Sequence, residues 1–409
     1  MGQHSKADCP QRIVDKTQKF LLCSFWCARY RPMRTGQKLK KNGRVGRTAV
    51  VEVRERFHHR GRGAVSNQTG RFERETREAW DDGWDTIEEK APPLVTTLTK
   101  ETPRTIITFN KSPDIHFDRS INPYRGCEHG CVYCFARPTH AYHGLSAGLD
   151  FESKLFFKPD GPDLLLKELS RPGYVPRPIA LGVNTDAYQP VEREQKLTRR
   201  FLEILSEHNH PVSLLTKSAL IQRDLDLIGP MAEKQLCRVG VSITTLDSKL
   251  ARRMEPRAAA PHKRYETVKA VSDAGVPVTV MAAPIIPALN EPELEALLEA
   301  AKENGAIGAG YVLLRLPHEL KDIFHEWLAE HYPDRAARVI NLLRDMRGGK
   351  DYDADWYTRG AGQGPRAKLI GQRFAQTVRR LGLQPQRTAL RTDLFQPPVL
   401  KGDQYRMNL

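Results

Sequence analysis

Cys127, Cys131 and Cys134 stand in the octapeptide CEHGCVYC, with the spacing C-x3-C-x2-C. Three thiolates on one short loop fit one face of an iron–sulfur cube. Such clusters normally take four cysteine thiolates, and here the run stops at three. Cys9, Cys23, Cys27 and Cys237 all lie far from it in sequence. The expectation is a 4Fe-4S cluster with three protein ligands and one iron open to another molecule. Zinc is the competing reading, since it takes four N or S ligands and His129 is a nearby fourth donor. But His129 sits between Cys127 and Cys131, too tight for one tetrahedron, and no second C-x2-C follows at the usual distance. A redox pair fits less well, because the chain reads as a cytoplasmic enzyme whose thiols stay reduced.

The elements that must position this loop begin near residue 106. From there apolar β-branched runs alternate with amphipathic helical stretches, the mark of βα units and a parallel sheet. Strands are expected at 116–121, 179–183, 212–216, 238–243, 276–281 and 311–316. Helices are expected at 163–169, 195–208, 263–274, 291–304 and 318–331, from apolar residues at helical spacing. In barrels of such units the functional residues gather at the C-terminal strand ends. Polar residues stand at those ends. They are Asn184-Thr185-Asp186-Ala187-Tyr188, Thr216-Lys217-Ser218, Ser242 and, shortly after, Glu255-Pro256-Arg257. The fifth strand runs into Ala283-Pro284-Ile285-Ile286-Pro287, an apolar wall stiffened by two prolines.

The stretches NPYRGCEHGCVYCFARPTHAY, NTDAYQPVE, LLTKS, VSITTLD, EPRAAAP and APIIPALNE resemble the radical S-adenosylmethionine (SAM) superfamily, in the branch related to spore photoproduct lyase. They span roughly residues 121 to 290. GRGAVSNQTGRFE and DMRGGKDYDADWY place the resemblance in an uncharacterised bacterial subgroup. It implies a partial (β/α)6 TIM-like barrel and a 4Fe-4S cluster whose open iron chelates SAM. It also implies reductive SAM cleavage to a 5′-deoxyadenosyl radical that takes hydrogen from a substrate. Tyr133 would lie against the adenine. Asn184, Thr185 and Asp186 would receive the amino group, against a turn rich in Asx-type hydrogen bonds. Lys217 is assigned to the SAM carboxylate or ribose, against an ordinary surface lysine. Ser242 is assigned to the ribose, against a hydroxyl bonded to its own backbone. Ile285 or Ile286 would stack on the base. Arg257 would hold SAM or substrate, or else pair with Glu255. The lyase branch uses a further cysteine downstream of the cluster motif as hydrogen donor. This chain has none between Cys134 and Cys237, and Cys237 falls at the start of the fourth strand. Thymine-dimer repair of that type is therefore not expected; Tyr188 is a substitute donor candidate.

Charge is uneven along the 409 residues, whose formal net charge is +15. Residues 1–62 carry 16 Lys/Arg against 4 Asp/Glu, leaving 48 against 45 in the rest. The high pI thus belongs to a tail, read as disordered for want of periodicity, which leaves nucleic acid an open partner. The expected layout is this tail, a linker or wrapping segment at 63–105, the barrel at 106–332 and a C-terminal helical extension or lid at 333–409. An amphipathic helix is expected at 367–381, with Leu369, Ile370, Phe374, Val378 and Leu381 inward. No apolar run approaches 18 residues, so no membrane span is expected. The short apolar run FLLCSFWCA at 20–28 lacks a convincing cleavage site, and Met33 is an alternative start. The implied partners are SAM and a reductant such as flavodoxin or ferredoxin. A metal-bearing nucleic-acid-binding module and an electron-transfer iron–sulfur protein are the competing functions.

Overall fold

A computed structural model of the chain describes residues 61–73, 94–383 and 389–399. Apart from Gly61 and Arg62, the basic segment lies outside the described residues, as do Cys9, Cys23, Cys27 and the Met33 start.

Six parallel strands form the frame: β1 (Arg119–Ile121), β2 (Ile179–Leu181), β3 (Val212–Thr216), β4 (Cys237–Ser242), β5 (Val278–Ile285) and β6 (Gly308–Leu313). Each pairs in parallel with the next in chain order. The strand Thr108–Phe109 adds antiparallel to the outer edge of β1. β6 therefore ends one side of the sheet and Thr108–Phe109 the other, giving a barrel with one open flank. Alternation along each strand sorts its residues to two faces. On β5, Val278, Val280 and Ala282 are buried, whereas Thr279, Met281 and Ala283 are half-buried and look inward. On β4 the inward set is Arg238, Gly240 and Ser242. Cys237 falls on the opposite set, at the N-terminal end, which removes it from the barrel mouth.

Helices cover the outer face: α1 (Gly161–Leu169), α2 (Leu197–Glu207), α3 (Leu225–Glu233), α4 (Pro261–Asp273), α5 (Leu294–Glu303), α6 (Leu320–His331), α7 (Pro333–Asp345) and α8 (Gly364–Arg380). The main core joins strands to helices through residues such as Leu181, Phe201, Val239, Val268 and Leu298. A second core around Phe324 and Trp327 binds α6 and α7 to the region of the cysteine loop.

α8 packs on α5. Arg373 pairs with Glu295 at 2.7 Å and with Glu291 at 3.1 Å, and Arg380 pairs with Glu299. Arg373 is thus an interhelical contact, and the Arg380–Glu299 pair lies at the exposed rim of the same interface. Ile370 and Val378 are buried as expected, but Leu369 is 52% exposed. Between α7 and α8, residues 346–363 cross the open flank of the barrel. There Arg359 Nε donates to Asp114 at 2.6 Å. Asp114 precedes β1, so the contact joins the two unpaired sides of the sheet.

Candidate functional site

Cys127, Cys131 and Cys134 line one cavity of about 240 Å³ at the C-terminal ends of the strands. Cys127 and Cys131 are buried, and Cys134 is half-buried. The loop turns on Gly126 at φ +73° and Gly130 at φ +66°, backbone conformations that favour glycine. A Cβ at Gly126 would meet Leu155 at 2.6 Å and the Phe151 carbonyl at 2.8 Å; at Gly130 it would meet Glu152 at 2.7 Å. Both glycines are therefore required by the chain's own packing behind the loop.

That packing is organised by Arg137 and Glu152, both fully buried. Arg137 donates to the carbonyls of Cys131 (2.8 Å), Gly130 (3.1 Å), Ala147 (3.0 Å) and Gly148 (2.9 Å), and pairs with Glu152. Glu152 accepts the backbone N–H groups of Gly63 (2.9 Å) and Ala64 (2.8 Å). The segment 61–73 is thereby strapped across the back of the cysteine loop. Gly63 lies so close that a Cβ there would sit 1.8 Å from the Gly130 carbonyl oxygen.

Tyr133 lines the same cavity. Its hydroxyl donates to Glu255 and lies 3.2 Å from Thr244 Oγ1. Glu255 is buried against Arg264, whose Nη1 donates to the Ser242 carbonyl at 3.0 Å and whose Nε donates to Ala259 at 2.7 Å. Breaking a buried pair of this kind costs about 3–5 kcal/mol, so it fixes the tyrosine ring. The Lys217 ammonium lies 5.9 Å from the centre of that ring. Burial lowers the Lys217 pKa, but the charges of Cys131, Glu255 and Asp186 outweigh it and raise the value overall.

Asn184, Thr185 and Asp186 all line the cavity, after β2. Asp186 is saturated by its own chain. Oδ1 accepts from Thr216 Oγ1 (2.7 Å) and the Tyr188 N–H (2.9 Å); Oδ2 accepts from the Lys217 N–H (2.8 Å) and lies 3.3 Å from His129 Nδ1. Burial opposes ionisation here, yet His129 and Lys217 hold the carboxyl well below the usual range. Asp186 thus ties β2, β3 and the cysteine loop together, and it engages the imidazole that zinc would need. Thr185 donates to the Tyr124 carbonyl at 3.0 Å. The Asn184 side chain has no hydrogen-bond partner among the described residues and is the open amide of this group. Ser242 faces the cavity and its hydroxyl lies 3.3 Å from the Ala283 carbonyl.

Four expected site residues lie elsewhere. Arg257 pairs with Glu128 at 2.9 Å rather than facing the cavity, and its expected partner Glu255 is taken by Arg264. Ile285 and Ile286 are buried in the two cores. Ala283 and Pro284 line the cavity from that strand end instead. Tyr188 is enclosed in the main core. Conversely, the sequence reading passed over Arg315, which lines the cavity after β6. Its signal was a lone charge inside the apolar run Leu313-Leu314-Arg315-Leu316.

The model of the radical SAM superfamily matches residues 121–301. An uncharacterised protein of Mycobacterium tuberculosis is 36% identical over 241 residues, covering 58% of this chain and 71% of its own. An uncharacterised protein of Methanocaldococcus jannaschii is 30% identical over 42% of this chain and 62% of its own. Among solved structures, spore photoproduct lyase complexed with dinucleoside spore photoproduct aligns at 16% identity and a TM-score of 0.49. That alignment covers 69% of this chain and 79% of the lyase. The chain belongs to the radical SAM superfamily.

Membership implies a 4Fe-4S cluster and SAM. The donor set fits them: three thiols on one turn, opening into the cavity that the strand ends complete. Burial pushes the Cys131 thiol up to about 12 and Cys127 well above its ordinary value. A coordinated metal takes such thiols in deprotonated form. Among the described residues no helix is long and apolar enough to cross a membrane.

Proposed function

We propose that this protein is a radical SAM enzyme in which Cys127, Cys131 and Cys134 hold a 4Fe-4S cluster and the cavity above them receives SAM. Bound there, cluster and SAM supply one-electron cleavage of the sulfonium to methionine and a 5′-deoxyadenosyl radical, which abstracts hydrogen from a substrate. The observation that carries the reading is the union of three thiols and Tyr133 with the ends of β2 to β5 in one cavity. In this reading Tyr133, immobilised by Glu255, offers a flat face to the adenine. Lys217 offers a point charge to the SAM carboxylate, and Asn184 and Ser242 offer polar contacts to the amino group and ribose. Asp186 positions Lys217 and His129. The apolar walls given by Leu215, Met281 and Pro284 exclude water from a reactive centre. A low-potential flavodoxin or ferredoxin supplies the electron. Iron content and turnover test the reading together. Anaerobic reconstitution should give about four iron and four sulfide per chain, with 5′-deoxyadenosine formed from SAM under dithionite. Alanine at any one of the three cysteines should abolish both. Stoichiometric zinc without SAM cleavage, or full iron in a cysteine variant, would refute it.

A further inference from the structure

We propose that the cavity holds a second, anion-binding subsite at the end of β6, where the Arg315 guanidinium grips a carboxylate or phosphate group of the substrate beside the Phe135 ring. This rests on SAM occupying the same cavity on the side of Lys217 and Tyr133.

Arg315 lines the cavity while its neighbours Leu314 and Leu316 are fully buried. Its guanidinium carbon lies 5.5 Å from the centre of the Phe135 ring. Phe135 follows Cys134 directly and is 46% exposed. A guanidinium stacked on a ring keeps the edge of its donor fork for a planar or tetrahedral oxyanion.

What Arg315 lacks is a counter-charge. No carboxylate among the described residues lies within ion-pair distance of it. Its one hydrogen bond among the described residues is a long one, from Nη2 to the Tyr352 hydroxyl at 3.5 Å. Its Nε is buried without a partner. The other cation of the cavity, Lys217, is by contrast in the field of Asp186 and Glu255.

A second arginine deepens the imbalance. Arg347 is 1% exposed. It donates to the carbonyls of Leu314 (2.7 Å) and Thr358 (2.8 Å), and its Nε is also unpartnered. Burial, partly offset by Asp353 and reinforced by the like charge of Arg315, lowers its pKa to about 10. Asp353 is itself engaged by Thr358 Oγ1 at 2.7 Å and the Asp355 N–H at 2.9 Å. Two neighbouring guanidinium groups with so little acid beside them leave a net positive field at this end of the cavity. Desolvated charge without a partner is costly, and an anionic ligand relieves that cost.

The test uses the full chain, anaerobically reconstituted, titrated calorimetrically with inorganic phosphate, with acetate and with SAM. We expect wild type to bind at least one of the two anions, and Arg315→Gln to weaken that binding by about tenfold or more. Arg315→Lys, which keeps the charge but not the fork, falls between them. The SAM dissociation constant should move by less than about twofold in both variants. Stronger binding of phosphate assigns a phosphate-bearing substrate, and stronger binding of acetate a carboxylate. The proposal is overturned if wild type binds neither anion or if both variants bind as wild type does. It is also overturned if the variants lose SAM affinity instead, which would make Arg315 part of the SAM site. Wild type that fails to form 5′-deoxyadenosine refutes the enzyme reading whatever the anion titrations give.

Discussion

Replacing Gly63 with alanine probes the strap behind the cysteine loop with a single methyl group. The new Cβ would stand 1.8 Å from the Gly130 oxygen and 3.0 Å from its carbon. That is about 1.5 Å short of ordinary contact, and the obstacle is backbone, which cannot rotate aside. The strap must therefore lift. Lifting it by that amount breaks the bonds from the Gly63 and Ala64 N–H groups to Glu152, now 2.9 and 2.8 Å. Hydrogen bonds to a charged group contribute roughly 1.5–3 kcal/mol each, so the loss is about 3–6 kcal/mol. Glu152 also anchors Arg137, which holds the carbonyls of Gly130 and Cys131. The loop geometry should loosen along with the stability. Denaturant unfolding measures the first effect, and iron and sulfide content after reconstitution the second. Gly63→Ala protein that unfolds within about 0.5 kcal/mol of wild type and binds its full iron would show that the strap merely lies alongside the loop.

Two further outcomes are expected. Tyr133→Phe removes the hydroxyl bonded to Glu255 while leaving the Arg264 and Thr244 contacts in place. It should cost about 2 kcal/mol in unfolding free energy and weaken SAM binding with iron content unchanged, and unaltered stability would contradict the anchoring role. His210 lies far from the cavity, its Nε2 2.8 Å from the Tyr174 hydroxyl, and burial lowers its pKa from 6.5 to about 4. Because the unfolded chain takes up this proton first, the neutral His210 favours the fold fully above pH 6.5, and that advantage falls away as the pH drops to 4. The loss approaches about 3 kcal/mol, so the stability difference between wild type and His210→Asn should narrow by that amount over the window; a constant difference would refute the assignment.

The sheet was legible where alternation is strict. β3 falls on residues 212–216 as expected, because Val212, Leu214 and Thr216 alternate with Ser213 and Leu215. β5 extends to Ile285 where the reading stopped at 281, since Pro284 stands near the strand end, where the register with β6 slips. α3 went unseen because Gly229-Pro230 sits inside it, a pair that normally breaks helices. At the site, the cysteine spacing and the polar strand ends were readable because each is local in sequence. Of the two readings of Arg257, the pair with Glu255 rested on adjacency, whereas the fold gives Glu255 to Arg264 and Arg257 to Glu128. The strap was invisible for the same reason: Gly63 and Glu152 are 89 residues apart. Only the folded chain reveals why a glycine-rich stretch outside the barrel must keep its composition.

The contact between Arg359 and Asp114 bears on what size of molecule this protein can accept. Their side chains are 14% and 12% exposed, and the guanidinium meets both carboxylate oxygens through Nε and Nη2. A wall stitched by backbone ladders on six seams is thus fastened by side chains on the flank that no ladder closes. Were that pair to part, a bulky molecule could present one protruding group from the side without threading down the axis. Admission by such a route would depend on the shape of the protruding group, not on the dimensions of the whole guest.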